Sequence, residues 1–430
     1  MRLLLIGGTG LIGSALARSL SADGHELRII ARDAGYGRRT IPDTDWQHGD
    51  LNTMTQPATW TPHLNGVEVV INASGLLQSG GGDAVQTIQR DAIIAMSVAA
   101  SEAGVVRIIQ ISAAGADRNS IDFMATKRAA DDALMASSVP TVVLRPGLVI
   151  GRNAYGGTEL IRMAAAMPVA AAPVLGSSIR CIALDDVVDA VRLALTAPLI
   201  QNCAVDLVGR DAHPLTAIID AHRSWMALPQ RRWSLPIPSW AMAIVTCGAD
   251  LLGHLGWRSP LRSNAMAALN HGVDGDPAMT AKWLGREPLS LSETLARMTS
   301  GKQDRITAAV NLLMPFALMA LVVMWAASGV ATFAGLQDAA NLIASGGVSR
   351  TTARILAAGG ALVDLLLAAA LLWRPTVRPA LIGMVAMTLT YLLLGSWILP
   401  QLWADPLAPL AKSLPAMMLA LMLLPVVKKR

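Results

Sequence analysis

Beyond Ile306 the sequence holds four apolar runs with almost no charge: AAVNLLMPFALMALVVMWAASG, ILAAGGALVDLLLAAALLW, ALIGMVAMTLTYLLLGSWIL and SLPAMMLALMLLPVV. The first three each approach the ~20 residues that a helix needs to cross ~30 Å of hydrocarbon. The fourth is shorter, ~22 Å at 1.5 Å per residue, and spans if Lys412 and Lys428 snorkel and the bilayer thins locally. Hydrocarbon offers the backbone no water, so such runs must fold as helices that satisfy their own hydrogen bonds. Four buried helices of a water-soluble bundle are the alternative. Four such runs following one another, nearly free of charge, weigh against it. Spans are expected near 308–329, 355–373, 380–399 and 413–427, within an all-α transmembrane domain at 306–430.

The same segment explains the bulk composition. A mean hydropathy of +0.46 with 15% charged residues is too apolar for an ordinary soluble protein. The net charge of +5 belongs entirely to the residues after Ile306. With the N-terminal part inside, Lys302, Arg305, Arg374, Arg378, Lys428, Lys429 and Arg430 face the cytoplasm, and only Arg350, Arg354 and Lys412 face out. That bias predicts a multi-pass protein of a bacterial-type inner (plasma) membrane, with both termini and the N-terminal domain cytoplasmic. Cys181, Cys203 and Cys247 are widely spaced and odd in number, which argues for a reducing compartment and for buried small hydrophobes. No basic stripe interleaved with aromatics is present, so nucleic acid is not an expected partner. His63, His222, His254 and His271 have no ligand spacing, and no metal is expected.

Before Ile306 the pattern changes to short apolar strands alternating with helices. Leu3–Ile6 is wholly apolar, as a central parallel strand covered on both faces should be. Strands follow at Glu26–Ala31, near Trp46–His48, at Val67–Asn72, Val106–Ile111 and Thr141–Leu144, with helices between them. This alternation predicts an α/β, Rossmann-like doubly wound parallel sheet over 1–225 with part of a substrate lobe. A mostly helical closing segment of a small second lobe is expected over 226–305. Within it, IPSWAMAIVTCGADLLGHLG reads either as a membrane-surface helix or as one packed under the second lobe. With Asp250 and His254 it is a poor spanning candidate.

The first strand runs straight into GGTGLIG. Gly7 permits the turn off the strand, Gly10 lets the backbone approach a pyrophosphate at the helix N-terminus, and Gly13 allows close helix–strand packing. A dinucleotide is therefore expected on Gly7, Thr9, Gly10, Leu11, Ile12 and Gly13. The second strand ends in Ile30-Ala31-Arg32-Asp33. An acid there grips a ribose diol and an arginine meets a 2′-phosphate. Arg32 lies nearer the strand end, which favours NADP(H) over NAD(H). Asp50 and Leu51 would border the adenine, and Ala73, Ser74 and Gly75 the nicotinamide side.

Together with Gly49-Asp50-Leu51, Asn72-Ala73-Ser74-Gly75, Ile111-Ser112, Lys127 and Arg145-Pro146-Gly147, these landmarks resemble the short-chain dehydrogenase superfamily. More narrowly they resemble its atypical NAD(P)H-binding branch, which includes NmrA-like sensors and the nucleotide-binding subunit of respiratory complex I. The stretch DGDPAMTAKWLGREPLSLSETL is similar to the closing segment of the latter. The four runs after Ile306 resemble a DoxX-like membrane domain. The resemblance implies cofactor contacts from Ser112, Lys127, Pro146, Gly147, Leu148 and Val149 as well. In active members a serine holds the substrate oxygen, a tyrosine passes the proton, and a lysine lowers the tyrosine pKa. Ser112 and Lys127 stand in the serine and lysine places, while the tyrosine place is Phe123. That removes the usual general acid, which must lie within ~3 Å of its target.

Two substitutes are available in the sequence. Asp122 points about 100° away around the helix. Tyr155 sits on a loop that can fold over the cleft, as a proton donor or as a rim residue packed on the cofactor. Hydride transfer to a quinone or flavin needs less help from a protein acid than reduction of a ketone. In the membrane domain Asp364 lies mid-span, as a proton or quinone site or as an acid held by a neighbouring helix, with Asn311 and Thr388 as candidate partners. Gly359-Gly360 would permit close helix approach. Two functions remain open. One is a membrane-anchored oxidoreductase of the atypical short-chain dehydrogenase type, passing hydride to an unknown, lipid-soluble acceptor. The other is a non-catalytic dinucleotide-binding redox sensor or assembly subunit for a membrane-protein partner.

Overall fold

The computed structural model describes all residues except 77–78, 81, 118–121, 174–176, 199–201, 232, 258, 260, 264–265, 267–269, 271, 407 and 428–430. His271, Lys428, Lys429 and Arg430 therefore lie outside the described residues, as does the Asp122 side chain. The chain forms two compact units: Met1–Asp250 with Ser259–Ala309, and Leu251–Arg258 with Val310–Arg430.

The first unit is built on a seven-stranded sheet: β1 (Arg2–Ile6), β2 (Glu26–Ala31), β3 (Asp45–His48), β4 (Val69–Asn72), β5 (Arg107–Ile111), β6 (Thr141–Pro146) and β7 (Cys203–Leu207). Their spatial order is 3-2-1-4-5-6-7, and every neighbouring pair is parallel. The apolar run of β1 has the expected cause. Leu3 and Leu5 enter one core with Ile29, Ile71 and Leu144, whereas Leu4 and Ile6 enter another with Trp60, Val70 and Ile108. A strand buried on both faces cannot alternate with polar residues. Because β1 pairs with β2 on one side and β4 on the other, the chain reverses its winding there. That crevice at the carboxyl ends is where open α/β sheets take ligands.

A small lobe adds strands Leu148–Ile150, Ile179–Ala183 and Ala212–His213, and helices Gly157–Ala166, Leu215–Trp225 and Leu291–Arg297. They share a third core of Ile150, Ile161, Ile179, Leu215, Ile218 and Leu295. Cys181 lies in that core, where burial pushes its thiol up to about 12. Cys203 is half-buried and Cys247 is exposed, so only Cys181 fits the expectation of a buried small hydrophobe.

Among the described residues four helices are long and apolar enough to cross a membrane, Lys302–Ala334, Arg350–Leu372, Arg374–Ile398 and Pro409–Val426, and from Val310 on they belong to the second unit. A core of Leu321, Trp325, Leu371, Leu381, Met384, Ala420 and Leu423 joins them, while Phe316, Leu393 and Trp397 project outward. The architecture is thus a parallel Rossmann-like sheet with a small helical lobe, followed by four apolar helices of membrane length. Leu251–Arg258, within the segment 226–305, packs with these helices.

Candidate dinucleotide site

Parallel pairing puts the carboxyl ends of β1 to β6 on one edge, and the candidate residues follow those ends: Gly7, Arg32, Asp50, Ala73, Ser112 and Gly147. Gly7 takes φ +85°, and a Cβ there would lie 2.9 Å from the Ala73 carbonyl and Ser74 Cα. A Cβ at Gly13 would run into the Gly7 carbonyl, which fixes how closely the first helix meets the turn. Gly10 differs. It caps the Leu11–Ala22 helix with no side-chain hydrogen bond, and a Cβ there would touch only the Gly7 carbonyl at 3.4 Å. The cradle is therefore open where an anion would enter, at a helix terminus whose first N–H groups lack intrahelical partners. Thr9, Leu11 and Ile12 line the same turn. These residues fit a diphosphate.

At the end of β2, Arg32 does not stand alone. One of its terminal guanidinium nitrogens donates to both carboxylate oxygens of Asp83, at 2.6 and 2.7 Å. Asn52 donates to Asp83 at 2.8 Å and to Asp50 at 3.1 Å, so Arg32, Asp83, Asn52 and Asp50 form one network. Leu51 packs on the core behind it. The Asp83 carboxylate was not visible in the sequence as a partner, because 51 residues separate the pair.

On the other side of the crevice, Asn72 donates to Gln110 at 2.8 Å and accepts from the Ser74 hydroxyl at 2.6 Å. Lys127 is buried, and its ammonium donates to the Ser74 carbonyl at 3.1 Å and the Ile111 carbonyl at 2.9 Å. Gly75 borders it: a Cβ there would lie 3.6 Å from Lys127 Nζ, in ordinary contact. Desolvation lowers the Lys127 pKa to about 8, against the raising effect of Asp131. Ser112 donates to Asp131 at 2.6 Å. Asp131 is only 1% exposed and its other oxygen has no hydrogen-bond partner among the described residues. Arg145 Nε lies 3.6 Å from Asp131, and Arg145 Nη1 lies 3.4 Å from Asp117. Burial raises the Asp131 pKa above the usual carboxylate range, opposed by Ser112, Lys127 and Arg145.

Phe123, Lys127 and Asp131 follow one another at intervals of four on the Asp122–Met135 helix, so they share a face. The signal for Asp131 was therefore in the sequence, one turn beyond the lysine. Tyr155 is 53% exposed on the turn before the Gly157–Ala166 helix, whereas Ser112 and Lys127 are buried. Pro146 ends β6, and Leu148 and Val149 start the strand after Gly147, whose missing Cβ lets the chain pass the Arg180 carbonyl. Among the described residues no group of three His, Cys, Asp or Glu side chains is placed to hold a metal.

Residues 7–170 match a family model described as NAD(P)H-binding, and residues 322–421 match a DoxX-like family model. An NAD(P)-binding Rossmann-like domain is fused here to a DoxX-like domain. A ceramide reductase of Caulobacter vibrioides is 28% identical over 254 residues, covering 57% of this chain and 75% of that protein. The human epimerase family protein SDR39U1, solved with NADPH, superposes with a TM-score of 0.52 at 17% identity, over 69% of this chain and 99% of that one. Bordetella bronchiseptica WbmG, solved with NAD, gives 0.51 at 20% identity, over 69% and 92%. The structural relatives thus share the fold and carry either dinucleotide.

In the membrane unit Asp364 is 3% exposed and accepts from Ser328 at 2.7 Å and Tyr391 at 2.6 Å. This corrects one expected partner, Thr388. Thr388 donates to its own helix at Met384, and the Asp364 contacts come from Ser328 and Tyr391, on the spans before and after it. Gly360 faces the Tyr391 hydroxyl, where a Cβ would lie at 3.0 Å.

Proposed function

We propose that the chain is a membrane-anchored NAD(P)H-dependent reductase of the atypical short-chain dehydrogenase type, acting on a carbonyl of a lipid-soluble compound. The observation that carries the reading is the buried Ser112–Asp131 pair beside Lys127, a pair able to supply a proton where Phe123 cannot. When bound, the dinucleotide supplies the hydride to the carbonyl carbon. Gly7, Thr9, Gly10, Leu11, Ile12 and Gly13 would hold its diphosphate, Lys127 and the Ala73–Gly75 turn its nicotinamide ribose. The Ser112 hydroxyl gives its proton to the carbonyl oxygen, and protonated Asp131 restores it. Asp131 then regains a proton from solvent, so one carbonyl, one hydride and one proton yield one alcohol. Burial suits Asp131 to this task by favouring its protonated form.

Three further features support the reading. The Caulobacter relative's name specifies a lipid, and four membrane-length helices keep this chain where lipids are. Arg32, at the end of β2, supports NADP(H), and the described bonds to Asp83 come from one of its terminal guanidinium nitrogens. The excess of Lys and Arg on one side of the spans supports a cytoplasmic nucleotide site. Phe123 favours a second reading, a dinucleotide sensor for a membrane partner.

Purified full-length protein in detergent, given NADPH or NADH with long-chain keto-lipids and quinones, separates the two. Oxidation of the cofactor by a keto-lipid supports the reductase, and oxidation by quinones alone moves the acceptor to that class. Intact binding without turnover leaves the sensor. Gly10→Asp places bulk and charge against the diphosphate and should abolish nucleotide binding; unchanged affinity would remove the site.

A further inference from the structure

The Ser239–His254 helix carries an apolar stripe that the protein leaves uncovered. Trp240, Ile244, Cys247 and Leu251 recur at helical spacing, and Trp240, Ile244 and Leu251 are 68%, 65% and 68% exposed. Ala249 and Gly253, on the opposite side, are buried. The helix has one acidic residue, Asp250, which accepts from Arg262 at 3.0 Å, so the stripe itself bears no charge. Residues of this size facing water forgo roughly 25 cal/mol for each Å² that could be covered.

The chain leaving this helix shows what covers it. Leu251–Arg258 belongs to the membrane unit. The Leu255 carbonyl accepts from the Arg374 N–H at 3.0 Å, and Trp257 Nε1 donates to the Leu372 carbonyl at 2.6 Å. The Arg374 guanidinium lies 5.3 Å from the Trp257 ring centroid. Leu372 ends one membrane-length helix and Arg374 begins the next. Leu255 and Trp257, just beyond the helix, thus bind the short link between those two helices, at Arg374 and Leu372. Tryptophan and arginine are the residues that mark a membrane–water boundary.

We propose that the Ser239–His254 helix lies in the boundary between lipid headgroups and acyl chains, with Trp240, Ile244, Cys247 and Leu251 in the lipid. At 16 residues it reaches ~24 Å, too short to cross ~30 Å of hydrocarbon. An uncharged apolar face joined to a span end is suited to lying in the interface. The occupant is the bilayer rather than a second copy, because Leu251, the last residue of the stripe, belongs to the unit of membrane-length helices. The inference is independent of the reaction proposed above.

Cys247 provides the test, because it is exposed on the stripe while Cys181 is buried and Cys203 half-buried. Full-length protein with Cys181→Ala and Cys203→Ala is labelled at Cys247 with an environment-sensitive fluorophore and placed in phosphatidylcholine–phosphatidylglycerol nanodiscs. The expected result is blue-shifted emission, quenched more by lipids spin-labelled near the headgroup than by lipids labelled at the chain end. Emission typical of water, unquenched by either lipid, would overturn the proposal. A blue shift without lipid quenching would also overturn it, by showing the stripe covered by protein. Nucleotide binding by the labelled protein checks that it is folded, and Ile244→Glu, assayed in the same way, should weaken the headgroup-level quenching.

Discussion

Asp131 and Asp364 are both buried carboxylates that accept a serine hydroxyl, yet their surroundings differ in a way that separates chemistry from architecture. Asp364 is satisfied on both oxygens, by Ser328 and Tyr391 from two other spans. One acid thereby ties three membrane helices together, and a satisfied polar cluster in hydrocarbon specifies packing. Among the described residues Asp131 has a hydrogen-bond partner on one oxygen only, with Lys127 four residues before it and Arg145 beside it, at the carboxyl edge of the sheet. A buried polar atom left without a partner calls for an explanation. Restoring the proton that Ser112 gives to a bound substrate is the one we propose for Asp131. Asp364 needs none.

The contrast breaks or sharpens under substitution. Asp131→Asn should cost the largest effect, about a hundredfold in carbonyl reduction, the ordinary contribution of a general acid. Nucleotide affinity should change little, and a stopped-flow assay of nicotinamide oxidation reads both. Its pH profile sharpens the assignment. Delivery needs the protonated acid, so reduction falls as pH rises through the raised Asp131 pKa, and Asp131→Asn should flatten that limb.

Lys127 gives a prediction with the opposite sign. Its folded pKa, about 8, lies below the ordinary lysine value of 10.5, so the native state releases a proton that the unfolded chain keeps. The Lys127 contribution to stability therefore rises with pH between those values. Lys127→Met should remove that rise from a melting-temperature series, and an unchanged series would mean the ammonium is not desolvated.

Smaller effects are expected in the membrane unit. Asp364→Leu leaves two hydroxyls unpaired and should destabilise the spans by about 1–3 kcal/mol, read by unfolding in mixed micelles. Tyr391→Phe removes one bond and should cost about 1 kcal/mol or less. Neither should alter nucleotide binding. Loss of turnover with stability intact in either variant would give Asp364 a chemical part and erase the contrast.

These two acids also show what a sequence displays. The apolar strand β1, the glycine turn and the four long runs announce the fold because each is local: periodicity, spacing and length decide it. Ser112, Lys127 and Phe123 are legible from position along strand and helix. Asp131 was equally local, one turn past Lys127, but its meaning depends on Ser112 coming across from β5. Arg32–Asp83 and Asp364 with Ser328 and Tyr391 are contacts between distant segments, which no spacing rule supplies. The exposed stripe of the Ser239–His254 helix was half visible, since composition shows it apolar and only the fold shows which side is left open.

The most direct measurement is single-turnover nicotinamide oxidation by full-length protein in nanodiscs with a long-chain keto-lipid, comparing wild type, Asp131→Asn, and Asp131→Asn with Phe123→Tyr. The account predicts a large loss in the single variant and recovery when the tyrosine hydroxyl is supplied. Equal rates for wild type and Asp131→Asn, with nucleotide binding intact in both, would contradict it.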